Sequence, residues 1–258
     1  MSSEYHLVVR NAPKSPAAEA VRLLRTNLQY VSLDRPLKSL MITSAGPGEG
    51  KTSICANLAV SLAEAGKRTI VVGADLRAPA VHKALGCSNN GVGLTTVLAG
   101  QAPLEEAIQE TDIEGVRLVP SGPIPPNPAE LIGSGAMEAV VRQIAQLCDI
   151  ALYDATPVLA VADALLLSRA MDGVLLVVSV KRTPREVVAQ AKEQLEQVQA
   201  RIVGVVANRV EYSGRAGYYY YGYYSAREAA AGRDAAGAVV RPARSGLFAR
   251  LAGRGQGR

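Results

Sequence analysis

Tryptophan is absent and phenylalanine occurs once in these 258 residues, so aliphatic side chains must fill the core. Only two histidines are present, His6 and His82, and they stand far apart. That excludes a histidine-based metal centre, whose ligands come at short, paired spacings. The three cysteines, Cys55, Cys87 and Cys148, are odd in number and form no Cys-x-x-Cys pair. Such usage fits reduced thiols in a cytosol and not a disulfide framework. No apolar run approaches the roughly 18–20 residues that span a bilayer; residues 174–180 form the longest. The opening MSSEYHLVVR lacks the basic-then-apolar pattern of a secretory signal, so none is expected.

What is present suffices for one large α/β domain or two small ones, with 48% hydrophobic residues and a net charge of +5. The charge is uneven. Residues 212–258 carry eight Arg, no Lys and two acids, Glu228 and Asp234, a balance of +6 that leaves −1 for the rest. A nucleic-acid-binding domain would show its basic patch on the folded body. Here the excess falls in a Gly-rich segment, which reads as a solvated, flexible tail, with attraction to an anionic membrane surface as the alternative. Nucleic acid is therefore not an expected partner.

Apolar runs at 40–44, 69–72, 116–119, 150–153, 174–180 and 202–207 read as strands. Most are continuous and not alternating, as in strands covered on both faces. Helical periodicity fills the gaps at 52–65, 137–147 and 185–199, with a further helix at 17–30. Gly66 stands where a C′ residue belongs, Ser15 is placed to cap the 17–30 helix, and Thr183-Pro184 reads as an N-cap followed by Pro at N1. The alternation predicts a mostly parallel sheet flanked by helices on both faces, binding its ligand beyond the carboxyl ends of the strands. No internal repeat is seen. Three segments are expected: an N-terminal one over 1–37, a central domain over 38–211 and the tail over 212–258.

The strongest chemical signal follows the first strand: Ser44-Ala45-Gly46-Pro47-Gly48-Glu49-Gly50-Lys51-Thr52-Ser53. It matches the P-loop in relaxed form, with Ala45 where the strict pattern has Gly. Small residues let successive N–H groups close around phosphate oxygens, and the following helix N-terminus adds its positive end. Lys51 can reach the β- and γ-phosphates and the Thr52 hydroxyl can ligate Mg²⁺. Asp154, ending the fourth run, is the best metal-side carboxylate; Asp75, just past the second run, is the other candidate, and either could instead cap a helix or turn. Arg77 is placed to contact phosphate or to pair with Asp75. Asn208 and Arg209 end the last strand, where an amide can read a base edge or cap a turn.

Together these residues resemble the bacterial tyrosine kinases of capsule and exopolysaccharide synthesis, whose cytoplasmic P-loop domain is related to the MinD and ParA ATPases. The likeness covers roughly residues 13–224. Residues 16–27 (PAAEAVRLLRTN) are similar to the family's EX2RX2R helix, which implies that Glu19, Arg22 and Arg25 lie between subunits of a ring. Residues 121–131 (SGPIPPNPAEL) look like its characteristic loop, and 204–210 (GVVANRV) like its adenine-side strand. Tyr212, Tyr218, Tyr219, Tyr220, Tyr221, Tyr223 and Tyr224 are similar to the C-terminal cluster that the family autophosphorylates. Seven of the ten tyrosines thus lie within thirteen residues, with no polar/apolar alternation to make them a core strand.

The resemblance implies an ATP- and Mg²⁺-dependent tyrosine autokinase. Lys51, Asp75 and Asp154 would be catalytic, residues Ala45 to Ser53 with Arg77, Asn208 and Arg209 would bind ATP, and Thr52, Asp75 and Asp154 would hold Mg²⁺. It further implies a ring-like homo-oligomer, a membrane-embedded activator of the polysaccharide co-polymerase type, other protein substrates, and a cytoplasmic protein peripheral to the inner membrane face. Two departures stand out. The family's second motif carries two aspartates, whereas this chain reads Val71-Val72-Gly73-Ala74-Asp75-Leu76-Arg77, with Gly73 at the first. Ala155 follows Asp154 where a hydroxyl residue is usual. A catalytically weakened nucleotide-binding regulator is therefore the alternative. A positioning ATPase of the MinD or ParA type would need a second lysine where Gly46 stands, and lacks a tyrosine-rich tail.

Overall fold

The computed structural model describes residues 6–31, 33 and 35–210. Seven strands form one sheet: β1 Ser39–Ser44, β2 Thr69–Gly73, β3 Gln109–Glu110, β4 Val116–Val119, β5 Ile150–Asp154, β6 Gly173–Ser179 and β7 Ile202–Asn208. Their order is β3-β4-β2-β5-β1-β6-β7, with all pairs parallel except β3 on β4. Every residue of β1, β2, β5 and β6 is buried, which explains why these strands read as unbroken apolar runs. The chain runs outward from β1 to β2 and β4, returns to β5, then crosses to β6 and β7. The direction therefore reverses beside β1, where open α/β sheets bind ligands.

Ten helices cover the two faces. On one lie α1 (Val8–Asn11), α2 (Pro16–Val31), α3 (Lys51–Glu64) and α4 (Val81–Ala84), whose Val9, Ala18, Val21, Leu58 and Val81 meet Leu40, Ile42, Val71 and Leu152 of the sheet. On the other lie α5 (Leu94–Leu98), α6 (Leu104–Ala107), α7 (Pro128–Ile132), α8 (Gly135–Leu147), α9 (Asp163–Ser168) and α10 (Arg185–Gln197), packed on Met41, Ile70, Val72, Tyr153 and Val174. The mostly parallel, doubly covered architecture agrees with the sequence. The N-terminal helices α1 and α2 pack on the same core as α3.

Several local expectations are settled by hydrogen bonds. The Ser15 hydroxyl accepts from Ala18 N at 3.2 Å, so Ser15 caps α2. Gly66 has φ +77°, and Lys67 N donates to Leu62 O, closing α3 in the left-handed manner glycine permits. Three boundaries are corrected. β6 stops at Ser179, α10 ends at Gln197, and Pro184, not Thr183, stands at the N-cap of α10. The Thr183 hydroxyl makes no capping bond and instead donates to Glu49 across the strand ends. α1, α4, α5, α6, α7, α9 and β3 escaped sequence reading because each has two to six residues, too few to show a period.

Candidate active site

Three strand ends bring the site together. The β2–β5 register sets Gly73 level with Asp154, and β1 places Ile42 beside the same aspartate. Beyond β1 the chain turns through Gly48 (φ +73°) and Gly50 (φ +97°), conformations that favour glycine. A Cβ at Gly50 would also run into the Asn208 side-chain amide. α3 begins at once, so Lys51 and Thr52 sit in its first turn. Lys51 Nζ lies 3.0 Å from Asp75 Oδ2 and 3.7 Å from Asp154 Oδ1. The Thr52 hydroxyl donates to Asp154 Oδ2 at 2.8 Å. Lys51, Asp75, Asp154 and Thr52 thus form one connected cluster.

Burial works on this cluster in opposite directions. Desolvation lowers the Lys51 ammonium, but Asp154 and Asp75 together outweigh it and hold the group above its ordinary value. Desolvation also pushes the fully buried Asp154 carboxyl above the usual carboxylate range, only partly offset by Lys51 and the Thr52 hydroxyl. Asp154 Oδ1 has no hydrogen-bond partner among the described residues. A buried carboxylate oxygen left in that state is a site poised for a cation. The all-oxygen pair of Thr52 and Asp154 suits Mg²⁺, which binds through one or two protein groups together with substrate phosphates. No group of three or more His, Cys, Asp or Glu able to hold a metal exists among the described residues.

Asp75 lies two residues beyond β2, in a turn where its Oδ1 accepts from Arg77 N at 3.3 Å and from Ala78 N at 2.9 Å. The Arg77 side chain does not pair with Asp75. Its Nε and Nη2 donate to Asp163 Oδ2 and Oδ1 at 2.8 and 3.0 Å, a two-pronged contact with a carboxylate buried at the start of α9. Sequence reading missed Asp163, since a six-residue helix gives no periodic signal to mark its first turn. It placed Ser121 at the head of the 121–131 loop but missed its contact, a hydroxyl that donates to Gly73 O at 2.7 Å. An ideal Cβ on Gly73 would stand 2.6 Å from that hydroxyl and 3.0 Å from Ser121 N.

Glu49 is the other residue whose part was not foreseen. Its buried carboxylate accepts from Ala45 N at 2.8 Å and Gly46 N at 3.2 Å through Oε2, and from the Thr183 hydroxyl through Oε1. Its carbonyl accepts from Asn208 Nδ2 at 2.8 Å. The loop is therefore tied to the ends of β6 and β7. Asn208 is engaged twice, since its Oδ1 also accepts from Arg209 N at 2.8 Å, with Arg209 at φ +56°. Pro47, Gly48, Ser179 and Arg182 border a cavity of about 200 Å³ on the β6 side of this loop. Ser53, in the first turn of α3, accepts at its carbonyl from Asn57 Nδ2 at 2.9 Å.

The residues expected between subunits fold onto their own chain. Arg25 Nη1 donates to Ser61 O at 2.6 Å, Arg22 Nη1 donates to Pro13 O at 2.7 Å, and Arg22 stands 3.5 Å from Glu19 and 3.6 Å from Glu64. The seven clustered tyrosines, Tyr212 through Tyr224, and the basic segment after them lie outside the described residues. No helix among the described residues is long and apolar enough to cross a membrane.

Comparison with known proteins agrees with this arrangement. A family model for the CobQ/CobB/MinD/ParA nucleotide binding domain matches residues 40–233. The tyrosine-protein kinase YwqD of Bacillus subtilis is 42% identical over 217 residues, covering 84% of this chain and 91% of that protein. The tyrosine-protein kinase CpsD of Streptococcus agalactiae is 36% identical over 220 residues, 85% of this chain and 94% of the other. Among solved structures, the kinase domain of the Escherichia coli tyrosine kinase ETK superposes with a TM-score of 0.76 at 30% identity, covering 83% of this chain and 85% of that one.

Proposed function

The chain belongs to the CobQ/CobB/MinD/ParA nucleotide-binding family and, within it, to the bacterial tyrosine kinases, and we propose that it is an ATP-dependent tyrosine autokinase. Its acceptors are Tyr212, Tyr218, Tyr219, Tyr220, Tyr221, Tyr223 and Tyr224, reached in trans between neighbours of a ring. One observation carries this reading: a near-buried lysine on the first turn of α3 spans two aspartates from adjacent strand ends. The N–H groups of Gly48, Glu49, Gly50, Lys51 and Thr52 would surround the β- and γ-phosphates, Pro47 having none and that of Gly46 being bound by the Glu49 carboxylate. Lys51 exchanges its carboxylate partners for phosphate oxygens and polarises the group being transferred. Thr52 and Asp154, with Asp75 beside them, would hold Mg²⁺, which supplies charge neutralisation at the phosphate oxygens. Asp75 Oδ2 accepts a hydrogen bond from the attacking phenol and its proton as transfer proceeds. A free phenol has a pKa of about 10, so orienting it matters more than ionising it beforehand. Asn208 and Arg209 would complete the nucleotide surroundings, whereas the Arg77 guanidinium, expected at phosphate or on Asp75, is held by Asp163.

The protein would then act in capsule or exopolysaccharide synthesis, at the cytoplasmic face of the membrane, docked to a membrane-embedded activator of the polysaccharide co-polymerase type. The test is direct. Purified protein incubated with ATP and Mg²⁺ is expected to gain phosphotyrosine, and Lys51→Met to lose at least about 10²-fold of that rate. Equal labelling of the two would overturn the reading.

Gly73 favours a second reading, a nucleotide-binding regulator with weakened catalysis. In that case the wild type binds MgATP yet labels poorly, and Gly73→Asp raises labelling. The Ser121 hydroxyl fills the space a Cβ would need, so Gly73→Asp alone is expected to destabilise by roughly 1–3 kcal/mol, as overpacking does. Pairing it with Ser121→Ala removes the nearer clash. The double variant is the one whose labelling, relative to Ser121→Ala alone, distinguishes a missing acid from an unneeded one.

A further inference from the structure

Asp163 lies outside every motif that marks the phosphate site, yet its side chain is 1% exposed. A carboxylate so buried needs strong partners to remain there. It has them in the Nε and Nη2 of Arg77, whose planar fork matches its two oxygens at 2.8 and 3.0 Å. Arg77 in turn is part of the turn that grips Asp75. Its own N–H and that of Ala78 bind Oδ1, which leaves Oδ2 facing Lys51. The connection runs from the start of α9, on one face of the sheet, to the phosphate loop through side chain and backbone alternately. Asp75 has no second acid at position 73 to share its work, so its orientation rests on this turn and on its contact with Lys51.

We propose that Asp163 is a positioning residue for phosphoryl transfer: by clamping Arg77 it fixes the 75–78 turn and so aims the Asp75 carboxylate at the reacting phosphate and phenol. This rests on the kinase reading for its effect on rate, while its effect on the turn does not. The clamp also explains why Arg77, rather than lysine, stands here. A lysine carries the charge but offers no fixed fork, and so cannot set the turn by two simultaneous bonds.

The experiment uses the full chain with Asp163→Asn, which keeps the shape, and Arg77→Lys, which alters only a part-exposed side chain and should fold if the first does not. In the nucleotide-free protein, hydrogen exchange at the Arg77 and Ala78 amides is expected to speed at least about tenfold, as expected when a local hydrogen-bonded turn opens, with β1 and β5 amides unchanged. Phosphotyrosine formation at saturating ATP should fall on the order of 10²-fold, the loss expected from a misplaced group, with half-saturating ATP within about threefold of wild type. In an Asp75→Asn background, Asp163→Asn should take away nothing more. Unchanged exchange at the two amides, or an equal loss on the Asp75→Asn background, overturns the proposal. If the wild type itself makes no phosphotyrosine, the kinase reading fails by itself, and the exchange measurement still decides whether Asp163 sets the turn.

Discussion

At the scale of single residues, burial opposes the charged forms of both Lys51 and Asp154, but only Asp154 is displaced by it, Lys51 being held up by the two aspartates. Asp154 is fully enclosed, and desolvation keeps its carboxyl above the ordinary range. The folded protein therefore binds a proton there that the unfolded chain has already released. By linkage, this residue takes stability away as pH rises from below the usual carboxylate range through the folded value. Asp154→Asn removes that penalty while keeping an oxygen for the Thr52 hydroxyl. Its melting temperature at neutral pH is expected to exceed that of the wild type, with the difference vanishing in acid, and its labelling to be lost. Thermal unfolding of both proteins across pH checks the sign, and a wild type more stable than the variant at neutral pH would refute it. Lys51 acts oppositely, its raised value contributing stability that persists until the pH passes the folded value. A site that is less stable than it could be, in order to be ready for a cation, is a common trade between stability and activity. The lysine and threonine were legible from spacing, because a P-loop ties each residue type to one chemical task, while Asp75 and Asp154 were legible as candidates from their places at strand ends. Asp163, Ser121 and the Glu49 carboxylate were not, since their partners are 86, 48 and 134 positions away in the chain.

At the scale of elements, α2 shows how one helix can serve two ends. Its Ala18, Val21 and Leu28 are buried against α3, while Leu23 and Tyr30 remain 56% and 70% exposed. The inward face is completed by Arg25, whose guanidinium donates to the Ser61 carbonyl of α3. The resemblance assigned Arg25 to contacts between subunits, yet within one chain it joins two helices. Ser15→Ala, which removes the cap, is expected to lower stability by about 1 kcal/mol. Denaturant titration of the dilute protein measures it. Arg25→Ala separates the two roles: lowered stability with unchanged sedimentation assigns the residue to the α2–α3 join, and the reverse assigns it to an interface. The long helices were readable because apolar residues recur on one face over three or more turns. The short helices were not, because packing and not periodicity defines them. Thr183 carries the same lesson. A Thr-Pro pair ahead of a helical pattern reads as a cap, but its hydroxyl serves Glu49 instead, and only the meeting of β1 and β6 ends makes that partner available.

At the scale of the whole molecule, charge is the governing quantity. The residues after 211 carry +6 against −1 for the remainder. Each phosphotyrosine adds roughly −1.5 to −2 charges at neutral pH, so about four or five of them are needed to reverse the sign of the tail. Residues 212–224 carry Arg215 as their one charge, so phosphates there turn a nearly neutral stretch strongly negative; neighbouring stretches in an assembly would then repel, and phosphorylation is expected to favour dissociation. Sedimentation before and after incubation with ATP and Mg²⁺ reads this out, and an unchanged assembly would refute it. Added salt should weaken the effect, because exposed charges more than about 8–10 Å apart are largely screened at physiological ionic strength.

The linear order of residues determined the strand–helix alternation, the phosphate loop and the identity of its lysine, hydroxyl and carboxylates, because each depends on neighbours within a few positions. It also determined the tyrosine cluster and the charge of the tail, which are matters of composition. The fold alone decided which strand lies beside which, and with it every contact made between separate strand ends: Lys51 between two aspartates, Glu49 bound to Thr183 and Asn208, Ser121 in the space above Gly73, and Arg77 held by Asp163 rather than by Asp75. Those contacts join residues far apart in the chain, and no local pattern encodes a partner that only the closing of the sheet brings near.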